Sequence, residues 1–174
     1  MNIVKIILGI LTLCWFSDAS ADWFQGSERL ASEVDQIYRL DVDRVCADLK
    51  CPDSISTELV LGIVAVESGT AKCAISTSKA YGPMQIKKIV QLDVKMQGDL
   101  CNKMHNLTVG IKYLKRLYTH HGITDQIDLL VAYKEGPTGY KRIKNRESFY
   151  YVERVQHAMI AIFIHSFKLN SHLR

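Results

Sequence analysis

The stretch Leu59-Val60-Leu61-Gly62-Ile63-Val64-Ala65-Val66 is apolar without a break and runs straight into Glu67-Ser68-Gly69. A surface helix alternates its faces, so a segment with no polar side must be packed on all sides and forms the centre of the core. Ser54 or Ser56 can cap a helix here, with Glu58 in its favourable first turn. Gly69 is where that helix has to stop. A carboxyl at this end is poorly placed for a structural role. Burial beside the negative end of a helix dipole favours the neutral acid, the form that protonates the leaving oxygen of a sugar–sugar bond.

Further segments follow Glu67 in order: Ala80-Tyr81-Gly82-Pro83-Met84-Gln85-Ile86, Asn106-Leu107-Thr108-Val109-Gly110-Ile111-Lys112-Tyr113-Leu114, Ala132-Tyr133-Lys134-Glu135-Gly136-Pro137, and Tyr151-Val152-Glu153-Arg154-Val155. Taken as an ordered series, they resemble the Slt-type lytic transglycosylases, lysozyme-like enzymes that cut bacterial peptidoglycan. That family shows a Glu-Ser pair, a Gly-Leu-Met-Gln turn, an Asn-x-x-x-Gly-x-x-Tyr-Leu helix start, an Ala-Tyr-Asn-x-Gly segment and a late Tyr-Val. The resemblance covers roughly residues 52–160 and implies a mainly α, goose-type or Slt-like lysozyme fold. Two positions depart from it. Lys134 stands where the family has asparagine, and Pro83 replaces a leucine and removes a backbone donor. Neither change is expected to touch Glu67.

Length and charge fit one exported domain. Residues 1–21 carry Lys5, an apolar run from Ile6 to Phe16 and Ala19-Ser20-Ala21, the pattern of a cleaved export signal. The run is too short to span a membrane, which needs about 20 apolar residues. Cys14 follows Leu13, where a lipoprotein signal wants a small residue, so no membrane anchor is expected. Residues 22–174 are then one domain, 174 − 21 = 153 residues long, with a periplasmic or envelope location and a monomeric state expected. Between 141 and 174, Lys141, Arg142, Lys144, Arg146, Arg154, Lys168 and Arg174 face Glu147 and Glu153, a balance of 7 − 2 = +5. Such a tail suits an anionic polymer such as peptidoglycan; export argues against nucleic acid.

The sequence carries no motif for a metal or cofactor. Four cysteines remain beyond the signal, Cys46, Cys51, Cys73 and Cys101, and an even number in an exported chain points to two disulfides. Three pairings are open, and we favour Cys46–Cys51 with Cys73–Cys101. Helices are predicted over Ser27–Leu40, with Leu30, Val34, Ile37 and Leu40 on one side, and from a cap at Asn106 to about Tyr118, ended by His120-His121-Gly122. Two more are predicted over Asp125–Tyr133 and from about Arg146 to Phe167. Residues 70–87 are the place for a small irregular or β element.

The resemblance implies a mechanism with one essential carboxyl, Glu67. In that family the glutamate protonates the glycosidic oxygen between N-acetylmuramic acid and N-acetylglucosamine. It then acts as base toward the sugar's own 6-hydroxyl, giving a 1,6-anhydro product. Ser68 matches the serine that positions the acid or the substrate, Met84 and Gln85 the turn lining the sugar cleft, Tyr133 a cleft aromatic, and Tyr151 a tyrosine whose hydroxyl bonds the glutamate, with Tyr150 one position away. Small members of this type often serve secretion, conjugation or pilus machines. Two other readings stay open: a hydrolytic lysozyme with Asp93, Asp99 or Glu135 as second carboxylate, and a wall-binding or assembly module without catalysis.

Overall fold

The computed structural model describes residues 18–146 and 149–171. Most of the expected export signal, residues 1–17, lies outside the described residues. Six α-helices are present among those described: α1 (Asp18–Leu49), α2 (Thr57–Glu67), α3 (Lys88–Asp93), α4 (Lys103–His121), α5 (Gln126–Gly139) and α6 (Tyr150–Ser171). Between α2 and α3 lies a two-stranded antiparallel hairpin, β1 (Ala80–Tyr81) and β2 (Ile86–Lys87), with Ala80 opposite Lys87 and Tyr81 opposite Ile86. The mainly helical class and the small β element within 70–87 are as predicted. No described helix is long and apolar enough to cross a membrane.

α2 is the axis of the core. Leu59, Val60, Leu61, Ile63 and Val64 are wholly buried, and α1 and α6 pack against them. Ser56, rather than Ser54, caps the helix by accepting the Leu59 N–H at 3.2 Å. Ser54 instead donates its hydroxyl to the Thr124 carbonyl at 2.8 Å. Gly62 lets α6 approach closely, since a Cβ there would lie 2.7 Å from Met159 Cγ and 3.1 Å from the Val155 carbonyl.

Several boundaries and faces differ from the sequence expectation. α1 begins at Asp18 and runs through Ser27, so the helix starts earlier than the predicted Ser27. Its buried stripe is Ala31, Val34, Tyr38, Val42 and Val45, while Ile37 is 42% exposed and Leu40 80% exposed. The face turns because Asp35, itself buried, must sit beside Arg39 at 2.5 Å. Arg39 in turn reaches Glu58 at 3.1 Å and the Ser166 hydroxyl at 2.9 Å, which joins α1, α2 and α6 through one guanidinium. α4 starts earlier than predicted: Asn102 is its cap, accepting the His105 N–H at 3.0 Å, and Asn106 lies inside the helix. α6 starts at Tyr150, later than predicted, because Arg146 is held against Asp128 at 2.6 Å and lies over the Tyr140 ring. Gly122, in the left-handed conformation, ends α4 as expected, while Asp125, predicted as the first residue of the next helix, is the cap of α5, which runs past the predicted end at Tyr133.

Cys73 and Cys101 form a disulfide that ties the loop after α2 to the segment before α4. Across a sequence separation of 28 residues, such a link stabilises by about 3–4 kcal/mol. The favoured Cys46–Cys51 bond is not formed. Both stay free thiols where the chain leaves α1, with the Cys51 N–H on the Cys46 carbonyl at 3.0 Å and the Cys46 thiol turned to the Ile55 carbonyl at 3.9 Å. Burial first, then Cys51 beside it, pushes the Cys46 thiol well above its ordinary value, so it is a poor thiolate. Alkylation of unfolded, unreduced protein followed by peptide mass mapping is expected to label Cys46 and Cys51. Label on Cys73 or Cys101 before reduction would contradict the pairing.

Candidate functional site

Glu67 is the last residue of α2, and its side chain is 12% exposed. The helix ends there because the Ser68 and Gly69 N–H groups both turn back to the Val64 carbonyl, each at 3.0 Å. Ser68 donates its hydroxyl to the Pro83 carbonyl at 2.9 Å. The residue after the carboxyl therefore anchors the helix end to the 82–85 turn, a positioning role rather than a contact with solvent.

That turn is held from below by Asn106, which is completely buried. Its side-chain oxygen accepts the Met84 N–H at 2.8 Å, and its amide nitrogen donates to the Tyr81 carbonyl at 2.8 Å and the Leu100 carbonyl at 2.9 Å. The approach is close enough that Gly82 must be glycine. Its φ is +69°, and a Cβ would stand 2.5 Å from both the Asn106 amide and the Leu100 carbonyl. Asn106 was expected to cap a helix; placed one turn inside α4, it instead satisfies two backbone groups of the hairpin, at Tyr81 and Met84, and the Leu100 carbonyl of the segment before α4.

The other predicted site residues divide into two kinds. Met84 is fully buried, so its side chain packs in the core and does not line a cleft; only its carbonyl reaches the site. Gln85, in the left-handed conformation with φ of 48°, donates its amide to the Ala74 carbonyl at 2.9 Å and the Gly82 carbonyl at 3.0 Å, tying the loop together. Tyr133 and Tyr151 do converge on Glu67. Tyr133 donates its hydroxyl to the Met84 carbonyl at 2.7 Å and packs on the Tyr113 ring at 5.8 Å between centroids. Tyr151 is 6% exposed, whereas Tyr150 is 71% exposed, which makes Tyr151 the inward residue of the pair.

The Tyr151 hydroxyl is buried without a hydrogen-bond partner of ordinary geometry. Glu67 is nonetheless near enough to act on it. Burial chiefly, and then the Glu67 charge, hold both the Tyr133 and the Tyr151 hydroxyls well above the usual phenol range. Both are therefore protonated donors at neutral pH.

One contact at Glu67 was missed in the sequence. Lys134 Nζ stands 3.2 Å from Glu67 Oε1 and 4.8 Å from the centre of the Tyr151 ring. The expectation that Lys134 leaves Glu67 untouched is thus corrected: the cation sits on the carboxylate. Lys134 lies in α5 just before Gly136, whose φ of 76° and ψ of 165° break the helix ahead of Pro137. The kink was legible as a turn, but sequence spacing does not say that the last helical turn before it faces α2.

Asp93 is half exposed and paired with Arg116 at 2.7 Å, Asp99 accepts the Cys101 N–H at 2.8 Å, and Glu135 is exposed. Two open surface cavities, about 360 Å³ beside Glu28 and His165 and about 430 Å³ beside Lys79, Tyr81 and Lys88, are not lined by Glu67.

The transglycosylase SLT domain family matches residues 47–152, a span that holds Glu67, the 82–85 turn, Asn106, Tyr133 and Tyr151. The chain belongs to that family. Among solved structures, this SLT domain is similar to an inactive mutant of the lytic transglycosylase Slt from Pseudomonas aeruginosa, with a TM-score of 0.60 at 17% identity. The likeness, one of fold, covers 77% of this chain and 24% of that one, so the domain spans about a quarter of that protein's length. No curated protein matches it in sequence.

Two substitutions in the SLT domain separate its supports. Asn106→Leu strands three buried backbone groups and is expected to lower stability by about 2–5 kcal/mol. Tyr151→Phe removes a buried hydroxyl that makes no hydrogen bond of ordinary geometry among the described residues and is expected to leave stability unchanged or raised by up to about 1 kcal/mol. Denaturant melts of both read the difference. A Tyr151→Phe loss as large as that of Asn106→Leu would show that the hydroxyl is bonded.

Proposed function

We propose that this protein is a peptidoglycan lytic transglycosylase in which Glu67 acts first as acid and then as base. The observation that carries the reading is one carboxyl, 12% exposed at the end of a buried helix and beside protonated tyrosines, while Asp93 is paired with Arg116, Asp99 accepts the Cys101 N–H and Glu135 is exposed. A mechanism with one carboxyl needs a nucleophile already tethered in place, and the muramic sugar's own 6-hydroxyl is such a group.

The steps balance as follows. The Glu67 carboxylic acid gives its proton to the oxygen of the β-1,4 bond between N-acetylmuramic acid and N-acetylglucosamine, and that C1–O bond breaks. The N-acetylglucosamine leaves with a free 4-hydroxyl. The Glu67 carboxylate then takes the proton of the 6-hydroxyl as its oxygen closes on C1, which restores the acid and leaves a 1,6-anhydro ring. Tyr133 and Tyr151 wall the site; the Tyr133 hydroxyl is given to the Met84 carbonyl, and the Tyr151 hydroxyl is the donor left for the carboxylate formed midway. Ser68, through Pro83, fixes the acid relative to the turn.

Export across a membrane brings the enzyme to its wall substrate, in the periplasm or cell envelope. The exposed Lys141, Arg142 and Lys144 after α5 favour an anionic polymer and support this placement. Local opening of the wall for a secretion, conjugation or pilus machine is the further role we propose for it.

Glu67→Gln keeps the shape of the side chain and removes the transferable proton. Its turnover of purified sacculi is expected to fall by about 10²–10⁴-fold, with the fold intact by circular dichroism. Mass analysis of the wild-type products should show muropeptides lighter by one water than reducing ends. Reducing ends alone would establish hydrolysis, and undiminished anhydro release by the variant would remove Glu67 from the mechanism.

A further inference from the structure

Lys134 has one anionic partner among the described residues, and that partner is Glu67. As a resting pair they cancel. Glu67, however, must carry a proton when it works as an acid, and a protonated carboxyl no longer neutralises the ammonium 3.2 Å away. In the charge state that does chemistry, a cation is left without its counter-ion at the mouth of the site. Its side chain is 43% exposed, against 12% for Glu67, so it lies on the side from which a glycan strand arrives. The Tyr151 ring 4.8 Å away holds it there, because an aromatic face attracts an ammonium but does not neutralise it. Arg154, the other cation acting on Tyr151, lies over the outward Tyr150 ring at 5.7 Å and brings no negative charge.

We propose that Lys134 is a specificity-determining residue that binds a carboxylate carried by the glycan strand beside the bond to be cut. The proposal rests on the reading of Glu67 as the acid. The substrate anion takes over the ammonium from Glu67, so binding of the right strand and release of the acid from its ion pair are one event. A strand without such a carboxylate leaves the ammonium unpaired whenever Glu67 is protonated, and it binds less well for that reason. Two carboxylates on peptidoglycan have this chemistry. One is the lactyl carboxylate of N-acetylmuramic acid when the peptide is absent, and the other is a carboxylate of the stem peptide, which leaves the lactyl group as an amide. The arrangement also gives the lysine a purpose that an asparagine at this position cannot serve, since an amide has no charge to offer.

The test is direct binding in a Glu67→Gln background, where the neutral amide stands in for the protonated acid and no turnover interferes. Three probes of one strand length are titrated by calorimetry at low salt. They are a peptide-free tetrasaccharide with free lactyl carboxylates, the same strand with those carboxyls converted to methyl amides, and the strand carrying stem peptides. Glu67→Gln is expected to bind at least one carboxylate strand about tenfold tighter than the methyl amide, a preference that shrinks as salt rises. Whichever of the two is preferred identifies the source of the anion. Adding Lys134→Gln should bring the ratio close to one, and Lys134→Arg should keep it, which a merely structural lysine would not do. A charge preference that persists undiminished in the Lys134→Gln double variant overturns the proposal while leaving the transglycosylase reading in place. Failure of all three strands to bind overturns both.

Discussion

The fold depends on burying a helix that has no polar face. Fully burying an aliphatic side chain contributes about 1.5–3 kcal/mol, and Leu59, Val60, Leu61, Ile63 and Val64 all reach zero exposure. That gain requires neighbours on every side, so α1 and α6 are brought against α2, at Gly62 with backbone nearly touching side chain. The consequence for chemistry is positional. A helix packed this tightly cannot shift along its axis, and Glu67 at its end occupies a fixed point.

A second constraint fixes what faces that point. The hairpin has only two residues per strand, too few to define itself. Asn106 supplies what the strands lack, with three hydrogen bonds from a buried amide, and the Cys73–Cys101 link closes the loop from the other end. Ser68 then couples this braced turn to α2 through the Pro83 carbonyl, and Tyr133 couples it to α5 through the Met84 carbonyl. Backbone groups of one short turn, two carbonyls and one N–H, are thus the meeting place of three helices. Pro83 is compatible with this design because the turn uses its carbonyl and asks nothing of its nitrogen.

The site's electrostatics are unusual for their sparsity: one carboxylate, one ammonium and two tyrosines held as neutral phenols. The tyrosines are neutral, and among the described residues the charge paired with Glu67 is on Lys134. Under the proposed mechanism, the freedom of the acid is tied to the occupancy of the neighbouring cation, and a polymer that carries carboxylates along its length can supply the exchange.

Much of this was written in the residues themselves. An unbroken apolar run bounded by serine and glycine determined a buried helix and its end, and with it the place of Glu67. Asp125 and Gly122 determined two helix boundaries through backbone chemistry that acts within one turn. The ordered motifs were enough to indicate the family. Tertiary structure alone decided which side of α1 is buried, because Asp35 and Arg39 had to meet Glu58 and Ser166, partners up to 131 residues away. It also decided that Asn106 clamps a turn instead of capping a helix, that Met84 packs inward, and that Cys46 and Cys51 lie side by side as free thiols. Above all it decided that Lys134 meets Glu67 across 67 positions of chain. Local propensity and spacing carry information over a turn or two, whereas the pairing of charges on separate helices is set by how those helices pack, which no single segment encodes.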